Sequence, residues 1–427
     1  MLRAVLAVAV ITMCLPAVAD QPSYQAQPAR LVQARAGLGN ALTKLHHGGE
    51  VRVAYFGGSI TAAAGWRVKT LQWLQAKYPQ TKVIEVNAAI GGTGSDLGVF
   101  RFQQDVLAHR PDLIFVEFSV NDGGAPPERI WRAFDGFLRQ AWEQDPSIDF
   151  CFVYTFRVGY EADLLQGLCP QAASADEMIA EYYGLPSINV ALKAVQLAEA
   201  GKLVYVPERD AQGQPVPVLA GVIKFSDDGV HPLDEAHQVY ADLIAEAWEQ
   251  MATVATPRPH ATKPPFIADN WEDARLVPLH RGMLSPGWRK LDATDSVAKA
   301  FADRMPEMWQ ADRPGEKLHF RFRGTAAKLY DILGPDGAQV MVTLDGKTTG
   351  PVPRFDSFCS YHRLATLEIG EGLVDAVHEV TVEVHPEQPD RSSVTNVEKD
   401  KPGFDPARFD GTVLRVGSLM LIGQVIE

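Results

Sequence analysis

From residue 51 onward the chain alternates short, continuously apolar runs with longer stretches in which apolar residues recur every three or four positions. The short runs fall at 51–56, 83–87, 113–118 and 150–156, with a weaker one at 187–190. Between them, 65–78 and 127–144 carry the helical period most clearly. Strands with no polar alternation are buried on both faces, and strands separated by helices run parallel. The pattern therefore predicts a parallel sheet covered by helices on both sides. Upstream, Leu31, Leu38, Leu42 and Leu45 predict one face of a helix that Gly48-Gly49 ends. Downstream, Pro232 suits a first helical turn, and Leu233, Ala236, Tyr240, Leu243, Ala247 and Met251 continue a stripe of helical period. Gly213, Pro215 and Pro217 make 204–224 an irregular or hairpin insertion ahead of that helix.

The pattern then changes. Pro257, Pro259, Pro264 and Pro265 cannot continue a helix and mark 255–265 as a linker. Beyond it, runs at 317–323, 327–332, 339–344 and 378–384 alternate or are β-branched, with turns at Pro335-Asp336-Gly337 and Asp345-Gly346. That is an all-β pattern, read as a sandwich of jelly-roll type. The expected organisation is an export signal over 1–19, an α/β domain over 20–254, the linker, and a β-domain over 266–427. No internal repeat is visible.

Composition narrows the picture. With 427 residues, 46% hydrophobic and 22% charged, the chain is an ordinary globular protein of about two domains. A formal charge of -13 disfavours a nucleic-acid partner, because phosphate contact needs a basic surface. Arg3, the apolar stretch behind it and Ala17-Val18-Ala19 have the layout of a cleavable export signal. Its removal deletes Arg3 and no acid, which leaves the mature chain one unit more negative, secreted or periplasmic. No later stretch reaches the ~20 apolar residues of a membrane span. Of 4 cysteines, Cys14 lies in the signal. Cys151 belongs to an apolar run and reads as buried, with a Cys151–Cys169 bridge left open. No Cys or His cluster has zinc-ligand spacing.

The chemistry concentrates in four segments. Gly57-Gly58-Ser59-Ile60-Thr61 follows the first strand, where an open α/β sheet places its active site. Thr61 stands where a nucleophile elbow would have its second glycine. Asp228-Gly229-Val230-His231-Pro232 precedes the last helix of the domain. A serine hydroxyl needs a base, and an imidazole needs a carboxylate to fix its tautomer; Asp227 competes with Asp228 for that role. Gly91-Gly92 follows the second strand and Asn121 the third, offering a backbone amide and a side-chain amide as oxyanion donors.

Taken as a set and in this order, the segments around Ser59, Gly92, Asn121 and Asp228-x-x-His231 resemble the SGNH/GDSL hydrolase superfamily over about residues 51–252. One departure is Gly58, where the family often has aspartate. The resemblance implies a three-layer α/β/α, flavodoxin-like sheet. It implies Ser59 as nucleophile, His231 as base, Asp228 as its orienter, and Ser59, Gly92 and Asn121 around the oxyanion. No cofactor or metal is needed for such double displacement.

The superfamily spans esterases, lipases, thioesterases and acyltransferases, so the set names no substrate. The export signal, the jelly-roll-like segment after 266 and the lack of a long apolar lid point to an acylated carbohydrate, with O-acetyl the expected group. An esterase/lipase or lysophospholipase on non-sugar esters, an O-acyltransferase, and a glycan-binding module with an inactive hydrolase centre remain as alternatives. Trp66 and Arg67 are candidates to line the acyl or sugar pocket, with helix packing equally open for Trp66. Trp271, Trp288 and Trp309 read as core residues before sugar platforms. The aspartates Asp345, Asp356, Asp375 and Asp390 read as turn residues, since they lack a calcium-loop spacing.

Overall fold

The protein is described by a computed structural model over residues 22–210, 212–261 and 263–426. Arg3, Cys14 and Ala17-Val18-Ala19, and with them the expected export signal, lie outside the described residues.

The first unit runs β1 (Val32–Gln33), α1 (Gly39–His47), β2 (Gly49–Gly57), α2 (Ser59–Ala62), α3 (Trp66–Lys77), β3 (Thr81–Asn87), α4 (Ser95–Asp105), β4 (Leu113–Glu117), α5 (Pro127–Gln144), β5 (Asp149–Tyr154), α6 (Glu161–Leu165), α7 (Gln171–Tyr183), β6 (Ser187–Asn189) and α8 (Val190–Glu199). After a two-stranded parallel pair, β7 (Leu203–Val204) and β8 (Ile223–Lys224), it closes with α9 (Asp234–Val254). The main sheet has the order β1-β6-β5-β4-β2-β3. Strands β2 to β6 are parallel and β1 is an antiparallel edge. The parallel strands thus follow the flavodoxin-like order that the resemblance implies.

Every residue of β4 and β5 is buried, which is why their sequence shows no alternation. Ala54, Phe56, Val116 and Phe152 pack under Phe100, Phe134 and Phe137 of α4 and α5. Their neighbours Val53, Tyr55, Phe115 and Val153 face the other way, toward Leu42, Trp66, Val195 and Trp248 of α1, α3, α8 and α9.

Three expectations need correction. The first helix does not reach back to Leu31. Positive φ at Arg35 and Gly37 turns the chain there, and Val32-Gln33 pairs with β6 instead. The last helix starts at Asp234, because Pro232 closes an antiparallel bridge with Ser226 ahead of it. The runs at 317–323 and 327–332 are one strand.

That strand belongs to the second unit: β9 (Ala274–Pro278), β10 (Arg289–Lys290), α10 (Ser296–Ala300), β11 (Trp309–Ala311), β12 (Lys317–Leu333), β13 (Gln339–Leu344), β14 (Lys347–Pro353), β15 (Arg363–Gly370), β16 (Ala376–Val384), α11 (Ser392–Glu398) and β17 (Leu414–Ile426). All its strand pairs are antiparallel. The first half of β12 pairs with β16, its second half with β15, and both halves with β17. The two long strands bend together where Gly324 (φ 156°) faces Gly423 (φ 140°). A Cβ on Gly324 would stand 2.1 Å from the Ile422 carbonyl, and one on Gly423 2.2 Å from that of Arg323. Bending there lets one pair of strands serve both layers of the sandwich.

Between the units, 255–261 has no regular structure but is tied down. Arg258 N donates to Asn40 Oδ1 at 2.9 Å. The His260 ring stacks on Trp142 at 4.9 Å, with Nε2 2.9 Å from Asp149 Oδ1. Ile267, Trp271, Met305, Tyr330 and Met420 then join the apolar cluster of Phe100 and Phe134, so the units share a core. Cys151, Cys169 and Cys359 are buried and free.

Candidate active site

The parallel strands end on one side of the sheet, and the loops that follow them meet there. Ser59 opens α2 directly after β2. Gly57 and Gly58 ahead of it allow close approach: a Cβ on Gly57 would lie 2.5 Å from the Glu117 carbonyl, and one on Gly58 1.8 Å from Asn121 Oδ1. Past the end of β3 the chain keeps following β2, with Ala88 N donating to Tyr55 O at 3.0 Å and Ile90 N to Gly57 O at 3.0 Å. This brings Gly91 against Ser59, the position of its Cβ being 3.5 Å from that of the serine. Gly92 follows with φ 74°, where a side chain would be strained. Asn121 comes from the turn after β4. Its neighbour Asp122 accepts from Ser95 N at 2.9 Å and so ties that turn to the start of α4.

The last loop brings an imidazole to Ser59. His231 Nε2 lies 2.9 Å from Ser59 Oγ, and its Nδ1 lies 2.6 Å from Asp228 Oδ2. The other carboxylate oxygen of Asp228 accepts from Ser226 Oγ, Val230 N and His231 N, each at 2.8 Å. Burial alone would raise the pKa of Asp228. The hydrogen bonds from His231, Val230 and Ser226 outweigh it and hold the carboxyl well below the usual carboxylate range. Asp227 instead pairs with Lys224 at 2.5 Å. Asp228 and His231 are half-exposed, so the site is open to solvent. In chemical terms it presents a hydroxyl, a ring nitrogen and an anion in series, beside amide groups from two neighbouring loops.

Trp66 and Arg67 do not line this site. Trp66 is fully buried between Tyr55 and Phe115. Arg67 is buried too; its Nε donates to Thr61 O at 3.0 Å and its guanidinium pairs with Glu85. Both side chains turn beneath the nucleophile segment, because α3 packs that face onto the sheet. Trp271 and Trp288 are buried and Trp309 is half-buried. Asp345 holds His378, Asp356 pairs with Arg363, and Asp390 caps the turn at Ser392.

Several residues escaped the sequence reading. Ser226 braces Asp228, and the serine two positions before the aspartate was the available signal. Glu117 receives the hydroxyls of Thr61 and Thr155 in full burial, which pushes its carboxyl up to about 7. His237 accepts from Trp66 N at 3.2 Å. Among the described residues no group of three or more His, Cys, Asp or Glu is placed to hold a metal, and no helix is long and apolar enough to cross a membrane.

Residues 55–239 match the GDSL-like lipase/acylhydrolase family. No curated protein matches the chain. Among solved structures, the chain is similar to a two-domain esterase (CEX) active on acetylated mannans, co-crystallized with mannopentaose. The TM-score is 0.69 at 18% identity, over 95% of this chain and 100% of that one. A second structure of a two-domain esterase (CEX) active on acetylated mannans gives a TM-score of 0.68 at 18% identity, over 92% of this chain and 97% of that one. At such identity the likeness is one of fold, and it extends through both units.

Proposed function

We propose that this chain, an esterase whose α/β unit belongs to the GDSL-like lipase/acylhydrolase family, removes O-acetyl groups from a polysaccharide outside the cytoplasm. The observation that carries the reading is the hydrogen-bonded series Ser59–His231–Asp228 at the ends of the parallel strands. In this reading Ser59 Oγ attacks the ester carbonyl while His231 Nε2 takes its proton. Asp228 keeps the proton of the other ring nitrogen in place and stabilises the imidazolium. The oxyanion forms toward the Ser59 and Gly92 amides and the Asn121 side chain. His231 then gives its proton to the departing sugar oxygen, which leaves as a hydroxyl. A water deprotonated by the same ring releases acetate from the acyl-serine.

The substrate class rests on two supports. The similar two-domain fold belongs to an esterase active on acetylated mannans. The half-exposed His231 and Asp228 leave the reacting end open to a group displayed on a long polymer. Export through the segment containing Ala17-Val18-Ala19 would bring the enzyme to such polymers.

The test is an ester panel with the mature protein and its Ser59→Ala variant. Nitrophenyl acetate, butyrate and octanoate would be compared with acetylated mannan and acetylated xylan. We expect acetate release from polymer and nitrophenyl acetate, lowered ~10³-fold or more by Ser59→Ala. Activity that survives Ser59→Ala overturns the nucleophile assignment, and a preference for octanoate overturns the acetyl-glycan one.

A further inference from the structure

We propose that Glu117 is a positioning residue for the nucleophile, gripping the Ser59 turn from the end of β4 through the Thr61 hydroxyl without touching substrate. The inference rests on the esterase reading above.

Glu117 holds the turn on both sides of Ser59. Its backbone carbonyl accepts from Gly58 N at 3.2 Å, and its Oε2 accepts from Thr61 Oγ1 at 2.7 Å. Its Oε1 accepts from Thr155 Oγ1, just past β5, also at 2.7 Å. One side chain therefore connects three segments: the nucleophile helix, the strand that leads to Asn121, and the adjacent strand. Gly57 makes the approach possible, since a Cβ there would overlap both the Glu117 carbonyl and Thr61.

The environment argues that this geometry is what the carboxyl contributes. Glu117 is fully buried. The titratable groups that act on it or feel it are Asp122 after β4, Asp176 on α7, Tyr160 before α6 and Tyr240 on α9. Each of these four is an acid or a phenol. A carboxyl in such surroundings is costly to bury, and an apolar side chain would fill the same space without that cost. An apolar side chain would leave two buried hydroxyls without partners and the Ser59 turn held to β4 by the Gly58 backbone bond alone. Burial brings the group to about 7, so both forms occur near neutrality. The carboxylate accepts both hydroxyls; the neutral acid accepts one and donates to the other. A glutamine amide has the same two ends as the neutral acid.

The test is steady-state kinetics on nitrophenyl acetate for Glu117→Ala, Glu117→Gln, Thr61→Val and the Glu117→Ala/Thr61→Val double variant, with Ser59→Ala alongside. We expect Glu117→Ala and Thr61→Val each to lower kcat ~10-fold or more with KM within ~2-fold, the double variant to lose no more than either single, and Glu117→Gln to recover kcat to within ~3-fold of the parent. The near-isosteric Thr61→Val and Glu117→Gln carry the test if Glu117→Ala does not fold. A parent-like kcat in Thr61→Val, losses that multiply in the double variant, or failure of Glu117→Gln to recover activity overturns the proposal. Those outcomes in a protein inactivated by Ser59→Ala leave the esterase reading standing. Activity that survives Ser59→Ala removes both.

Discussion

The hydrogen on Gly58 makes room for the Asn121 side chain, and this clarifies a departure from the family pattern. Where the family often has aspartate, a Cβ in this chain would sit 1.8 Å from Asn121 Oδ1. The Gly58 backbone, at φ -92° and ψ -152°, is otherwise open to any residue. Gly58→Ala should therefore displace the Asn121 amide without straining the turn. We expect kcat on nitrophenyl acetate to fall ~10²-fold, the usual worth of one oxyanion donor, with the unfolding midpoint nearly unchanged. Adding Asn121→Ala to Gly58→Ala should cost little more. A Gly58→Ala variant with parent-like turnover would remove Asn121 from the oxyanion role. The residue types of this site were legible in the sequence, because turn glycines, a serine after a strand and Asp-x-x-His are local signals. The contact between Gly58 and Asn121 was not, since it joins two loops on different strands.

Two helices hold the Ser59 side and the His231 side of the site together. Helix α9 starts three residues after His231, and α3 follows the short helix that Ser59 opens. His237 on α9 accepts from Trp66 N at the start of α3, and Lys69 pairs with Asp234 at 2.9 Å. The His237 ring fills the space a Gly65 side chain would need, a Cβ there lying 2.3 Å from the ring. Burial first, then the nearby charges of Lys69 and His231, push His237 down to about 4, while Asp234 acts in the opposite sense. An unfolded imidazole titrates near ~6.5, so between ~6.5 and about 4 the unfolded chain binds more protons than the folded one. The His237 contribution to stability is complete above that window and is lost as pH falls through it. Thermal melts from pH 7 to pH 4 should show a smaller loss of Tm for His237→Asn, whose carbonyl can still accept from Trp66 N, than for the parent. Parallel curves would contradict this. The apolar stripe of α9 was visible in the sequence, yet His237 passed unnoticed because its partner is a backbone amide 171 positions away.

At the scale of the molecule the two units behave as one packed body. Trp271 stands at their junction with the guanidinium of Arg129 5.6 Å and the ammonium of Lys328 5.7 Å from its ring centroid. Glu371 of the β-unit joins both cations, at 3.3 Å from Arg129 and 2.8 Å from Lys328. Arg129 also meets Asp96 at 3.3 Å, at the start of α4 beyond the Gly92 loop. Trp271→Ala should cost ~3–5 kcal/mol, the usual range for truncating a buried tryptophan, and both parent and variant should melt in one transition. Calorimetry checks this: two separated transitions, or an unchanged midpoint in the variant, would show that the units are energetically independent.

By itself the sequence determined the parallel sheet, the antiparallel unit behind it, and the residue types at the ends of the strands. Each of these is written in a window of a few residues, through continuous burial, alternation and turn chemistry. Only the tertiary structure decided which faces meet. It buried Trp66 and Arg67 beneath the Ser59 segment, joined 317–323 to 327–332 through the paired bend at Gly324 and Gly423, docked the proline-rich segment on Trp142, and set Glu117 between Thr61 and Thr155. A local pattern states how much of a side chain is buried but not against what, because the partner is chosen by packing among segments far apart in the chain.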